Sequence, residues 1–283
     1  MQPWKTSIDA SGCEMHDSLP RHMHVPTVKR TSGERTRFMR DLLEIMWQRH
    51  TCRAAFDPHR AIRAPDVQRI LDAARWAPTA HNMQNFEIIA VDDKHSLAAI
   101  GAIRLPPTET FIREPDHQLS LSEAESLQRK TGLLASMFPA SWQEAEAAQD
   151  DTAEVHHTYV GRTIQECPLL LVVVHDSRLP ANASEGDVLG LMSLGCVMQN
   201  LWLMAESLGI STQILSAFGA NAVEEQVQRI LAIPKHMKIA FAARLGYPVT
   251  TSESYLRVRR KIQDFAHSNR YSHREHEARD GVA

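Results

Sequence analysis

Leu169–Val174 reads LLLVVV, six apolar residues with no polar interruption. A strand with one wet face alternates apolar and polar side chains. A strand with no polar face has to be covered on both sides, which places it in the centre of a sheet. The chain must therefore supply helices to two faces, and the predicted fold class is α+β with both faces of the sheet covered. Three further runs suit strands: Phe86 to Val91, Gln213 to Leu215, and Lys238 to Leu245. Helical spacing is carried by Phe38, Leu42, Ile45 and Met46 within 34–48, and by Val67, Ile70, Leu71 and Ala74 after Pro65-Asp66. Helices are also predicted over 95–103, 122–137, 141–152, 154–166, 187–208 and 224–230. The sum is a mixed sheet of four or five strands, with the chain ends wrapping onto it.

The segment 187–208 is apolar almost all round, from Leu189 through Leu194 and Leu201 to Met204. A membrane span is one reading. Asp187, Gln199, Asn200 and Glu206 interrupt the run and no second span exists, which favours a buried core or dimer helix. The net charge of −3 argues against a general nucleic-acid binder. Four scattered cysteines (Cys13, Cys52, Cys167 and Cys196) give no paired ligand spacing and no disulfide framework, as in a reducing compartment. With no signal-like N-terminal run, a cytoplasmic protein free of membrane is expected. Residues 1–33 read as a flexible extension, 34–272 as the folded domain and 273–283 as a charged tail. No metal site is expected: His156-His157 lacks the spacing and flanking Glu of a zinc helix.

Two stretches carry candidate chemistry. In Ala74–Val91 a helix ends at Pro78 and a strand follows. Between them stand Thr79, His81, Asn82, Gln84 and Asn85, a polar loop that is either a plain turn or a binding edge. Earlier, Arg49, Thr51 and Arg53 alternate with His50 and Cys52. On an extended backbone the first three project to one side, two guanidinium groups around a hydroxyl, with Cys52 on the buried side. That set suits a phosphate as well as it suits an exposed basic strand. A basic cluster, Arg257, Arg259, Arg260 and Lys261, follows near the C-terminus. The chain lacks G-x-G-x-x-G, a P-loop, a G-x-S-x-G elbow and H-E-x-x-H.

Taken together, Arg49-His50-Thr51-x-Arg53, Ala77-Pro78-Thr79-Ala80-His81-Asn82-Met83-Gln84, Leu245-Gly246-Tyr247-Pro248 and the run from Arg259 to His267-Ser268-Asn269-Arg270-Tyr271 resemble, in order and spacing, the FMN-dependent nitroreductase family. The resemblance covers about 36–271 and is weak over 104–163. It implies a nitroreductase-like, intertwined homodimer with FMN at the subunit interface. Arg49, His50, Thr51 and Arg53, joined by Arg259 or Arg260, would hold the phosphate and ribityl end. Thr79, Asn82 and Gln84 would meet the ring or ribityl chain, with Pro78 shaping the loop. Ser216 and Ala217 would bring a backbone N–H to flavin N5. The implied activity is ping-pong hydride transfer from NAD(P)H, a transient reductant, to nitroaromatic, quinone or similar small-molecule acceptors. No catalytic side chain is implied, because the flavin carries the chemistry. The alternatives are specialised flavin chemistry on the same fold (dehalogenation, flavin breakdown or biosynthetic dehydrogenation) and a non-catalytic flavin-binding protein. Asn85-Phe86, His81 and Ser216-Ala217 depart from the family pattern. Asn85 is expected to loosen the turn, and His81 to intrude on the substrate side.

Overall fold

The computed structural model describes residues 42–103, 161–219, 221–250 and 262–272. The chain divides into two compact units, Met1–Glu44 and Ile45–Ala283, and the elements labelled below belong to the second. The helices predicted over 122–137 and 141–152 lie outside the described residues, as do most of 154–166, both tails and Arg257 to Lys261.

Among the described residues the sheet has four strands, β1 (Glu87–Val91), β2 (Leu169–Asp176), β3 (Ser211–Leu215) and β4 (Met237–Gly246), in the order β1-β2-β4-β3. All three ladders are antiparallel. The parallel component expected of a mixed sheet is confined to one bridge, Thr51 with Thr212, on the outer edge of β3. The LLLVVV run is the first three-quarters of β2 and is interior to the sheet, paired with β1 on one side and β4 on the other.

Two apolar clusters lie on opposite faces of that sheet, and β2 feeds both by its alternation. Leu170, Val172 and Val174 join Leu97 and Ile100 of α2 (Lys94–Gly101) and Val223 and Val227 of α4 (Asn221–Ile230). Leu169, Leu171 and Val173 join Ile70 and Ala74 of α1 (Ala64–Arg75) and Leu194, Val197, Leu201 and Trp202 of α3 (Val188–Ser207). Each of these large side chains contributes roughly 1.5–3 kcal/mol by leaving water. A polar residue anywhere in the run would lose that and strand its hydrogen-bonding group.

Local signals fix the helix ends. α1 has proline in its first turn and Asp66 beside it, bonded to Arg63 Nε at 2.7 Å. It stops at Trp76, two residues before Pro78. α2 is capped by Asp93, whose carboxylate accepts the Ser96 amide at 2.8 Å. Gly246 ends β4 where the Phe56 ring presses on the strand. A Cβ there would fall about 2.7 Å from ring atoms, so glycine is required by the approach.

α3 is a core helix on one side only. Leu194, Val197, Leu201, Trp202 and Ala205 are buried, whereas Val188, Leu191 and Met192 are 55%, 60% and 62% exposed. It is the one helix among the described residues long and apolar enough to cross a membrane. Its buried stripe packs against α1 and the sheet.

Candidate functional site

The segment after the helix over 42–48 is extended, and its alternation is the one the sequence predicts. Cys52 is fully buried among α2 and α4 side chains, while Arg49, Thr51 and Arg53 are half-exposed. The Cys52 amide donates to Thr212 O at 3.0 Å, which fixes the segment to the edge of β3. Arg49 lies over Trp202 of α3, its guanidinium carbon 4.3 Å from the ring centroid.

His50 belongs to the other side of this segment. Its Nδ1 meets Gln48 O at 3.1 Å, and its ring hydrogen-bonds the Cys52 thiol. That bond raises the imidazole above its ordinary value against the pull of burial. Burial pushes the Cys52 thiol up, but His50, the Ala54 amide and the charge of Arg244 outweigh it and leave the thiol below its ordinary value. His50 is half-exposed like Arg49, Thr51 and Arg53, with its ring engaged by Gln48 O and Cys52.

Beneath the segment is a residue that the sequence did not single out. Arg244 of β4 is fully buried. Its Nε donates to Gln213 Oε1 at 2.6 Å, and its Nη2 donates to Cys52 O at 3.1 Å and Ala54 O at 2.9 Å. The guanidinium also stacks on Phe56 at 4.2 Å. One side chain thus straps the two carbonyls flanking Arg53 to the sheet. The available signal was an arginine inside an otherwise apolar strand, a position where a charge persists only with partners.

The polar loop sits on α3. The Ala80 amide donates to Ser193 Oγ at 2.9 Å, and that hydroxyl donates to Leu189 O at 2.7 Å. The Gln84 amide donates to Thr79 Oγ1 at 3.1 Å, and Gln84 Nε2 to Asn82 Oδ1 at 3.3 Å. His81, Asn82 and Gln84 have φ of 51°, 54° and 49°. Three left-handed non-glycine residues in four positions are costly, and such strain persists where the surroundings over-determine it. Pro78, Asn82 and Gln84 are exposed and Thr79 half-exposed.

Asn85 corrects the expectation of a loosened turn. Its Nδ2 donates to Asp176 O at 3.1 Å and Leu179 O at 2.7 Å, and its Oδ1 accepts the Asp176 amide at 3.1 Å. Asparagine here bolts the loop to the end of β2. His81 Nε2 meets Asn182 O at 3.2 Å, so the imidazole is tethered at the loop's exposed tip.

A small open cleft lies between this loop and the start of α3, lined among others by Thr79, Asn85, His175, Asp187 and Ser193. Asp187 Oδ1 accepts the Ala181 amide at 2.8 Å. That carboxylate also lies against Gly190, in the space a Cβ there would take. Among the described residues no group of three His, Cys, Asp or Glu side chains could hold a metal ion.

Within one chain the two constellations are anchored at different places on α3. Arg49 rests on Trp202 and the loop on Ser193, nine residues or about 14 Å apart along α3. Ser216 follows the last residue of β3, four residues or roughly 13 Å from Thr212 beside Thr51. Ser216 is exposed. An elongated ligand with an anionic end fits this edge: guanidinium and hydroxyl donors at one end, the backbone of 216–217 at the other. Arg259 and Arg260 lie outside the described residues.

A model of the Nitroreductase family matches residues 46–247, a stretch containing both constellations. Solved structures share the fold. A provisionally named NADH dehydrogenase/NAD(P)H nitroreductase of Parabacteroides distasonis is 18% identical, with TM-score 0.53 over 82% of this chain and 99% of that one. One of the same description from Bacteroides thetaiotaomicron is 16% identical, with TM-score 0.53 over 82% and 98%. An FMN-dependent nitroreductase of Clostridium difficile is 15% identical, with TM-score 0.51 over 81% and 99%. No curated protein matches the chain. With the family match spanning most of its length and the strands, helices and site edges in place, the chain belongs to the nitroreductase family.

Proposed function

We propose that the chain is an FMN-dependent oxidoreductase that works as a homodimer in the cytoplasm. The observation that carries the proposal is the outward row Arg49, Thr51 and Arg53 on the edge of β3, whose far end runs into Ser216 and Ala217. Arg49 and Arg53 supply charge-assisted hydrogen bonds to a phosphate monoester, and Thr51 adds a hydroxyl between them. The backbone of 216–217, in the short turn after β3, would bond the ring edge. The chemistry that FMN supplies when bound there is hydride transfer at N5, from NAD(P)H to a nitroaromatic, quinone or similar acceptor in a ping-pong cycle.

The second half of the site is assigned to the partner copy. Thr79, Asn82 and Gln84 belong to a loop anchored on a different part of α3 from Arg49, and the exposed apolar residues Val188, Leu191 and Met192 give two copies a face to share. Pro78 ends the preceding helix, and the Asn85 bolt keeps the strained loop in shape, so its polar side chains are presented without a folding step on binding.

The test is anaerobic titration of the yellow protein with NADH and NADPH. Loss of the flavin absorbance, restored by a quinone or nitroaromatic, is the expected result. A flavin that neither nucleotide reduces marks a binding protein. Reduction without reoxidation by these acceptors favours specialised flavin chemistry, a reading that the tethered His81 supports because it narrows the loop's exposed tip.

A further inference from the structure

Trp202 is 8% exposed and lies on the buried stripe of α3, yet its indole Nε1 has no hydrogen-bond partner among the described residues. A position that served packing alone would be better filled by phenylalanine or leucine, which carry no N–H to strand. What tryptophan adds is the most electron-rich ring face among the side chains, and that face is occupied by Arg49 at 4.3 Å. Stacking engages the flat of the guanidinium and not its edge, and it is the edge, where the N–H groups lie in the plane, that recognises a phosphate. The Arg49 amide donates to Ile45 O at 2.8 Å, and the segment that follows is held by the Cys52–Thr212 hydrogen bond and by Arg244 on the Cys52 and Ala54 carbonyls. The long arginine side chain is still costly to order, and stacking on Trp202 is one restraint on it before any ligand arrives.

We propose that Trp202 is a positioning residue for the phosphate end of FMN, acting through Arg49 and touching no ligand atom itself. This rests on the reading of Arg49 as a phosphate ligand. It makes a prediction that a packing role does not: the effect of losing the indole must depend on the phosphate. Riboflavin, which has the ring and ribityl chain without the phosphate, is the discriminating probe.

The experiment strips flavin from the full-length protein and titrates FMN and riboflavin back, reading flavin fluorescence. Trp202→Leu is expected to weaken FMN about 3- to 30-fold while changing riboflavin less than about twofold. Trp202→Phe, which keeps ring volume with a weaker quadrupole and tests the same point should the leucine variant not fold, is expected to weaken FMN roughly 2- to 5-fold. Arg49→Ala should show the same phosphate selectivity, and adding Trp202→Leu to it should cost FMN nothing further, because the two residues act as a unit. Equal weakening of FMN and riboflavin by the tryptophan variants would overturn the inference and leave a packing role. Tighter FMN binding would overturn it too, since the indole would then be holding Arg49 away from the phosphate. If Arg49→Ala itself fails to separate FMN from riboflavin, the phosphate reading of Arg49 falls and the inference falls with it.

Discussion

Asn85 makes two hydrogen bonds to Asp176 at the end of β2 and a third to Leu179 in the turn beyond it, and they hold a loop in which three of four residues are left-handed. Each such bond contributes on the order of 1 kcal/mol net, so Asn85→Ala is expected to cost about 2–3 kcal/mol. A thermal or urea melt against the parent reads this directly, and an unchanged melt would show that the strap contributes nothing. Cys167 gives a second prediction at this scale. Burial pushes its thiol up to about 11 from an ordinary 9.0. The unfolded chain therefore loses this proton first, and stability falls as pH rises from 9 towards 11, by about 2–3 kcal/mol for a two-unit difference. Below pH 9 the group has no effect. Comparing the pH dependence of urea midpoints between the parent and Cys167→Ala isolates it; parallel curves would contradict the assignment. The sequence made neither residue readable. Asn85 stood out only as a departure, because its partners lie about ninety residues away in a turn that no local pattern marks. Arg244 was hidden for the same reason: its acceptors, Cys52 and Ala54, are backbone groups, which leave no trace in residue type.

The elements were far more legible than the residues that tie them. LLLVVV required an interior strand with two covered faces, and β2 is that strand, feeding one apolar cluster through Leu170 and Val172 and the other through Leu171 and Val173. The alternation of Arg49, Thr51 and Arg53 against buried Cys52 was likewise readable, because a period of two survives in sequence. His50, grouped with the row by motif, is half-exposed like its neighbours and bonds Gln48 O. What sequence could not give was the distance between the row and the polar loop, which depends on where each docks along α3. The row as a unit is tested by the double substitution Arg49→Ala, Arg53→Ala. It should abolish retention of FMN through purification with little change in melting, since both side chains are half-exposed. A double variant that stays yellow would remove the phosphate assignment.

At the scale of the molecule, one helix connects fold and site. α3 buries Leu194, Val197, Leu201 and Trp202 against the sheet and α1, carries Arg49 and the loop on different turns, and leaves Val188, Leu191 and Met192 in solvent. In the proposed reading the row and the loop are two half-sites, and pairing two copies would complete the site and cover the exposed apolar residues. The sharpest test of that arrangement is complementation between subunits. One variant carries Arg49→Ala and Arg53→Ala; the other carries Thr79→Ala, Asn82→Ala and Gln84→Ala. Neither should hold FMN alone. Co-expressed with different affinity tags and purified as the mixed dimer, they should recover about one FMN per two chains, because the intact row of one meets the intact loop of the other. A mixed dimer that remains colourless, with both parents colourless, would place row and loop of a working site in the same chain and contradict the account.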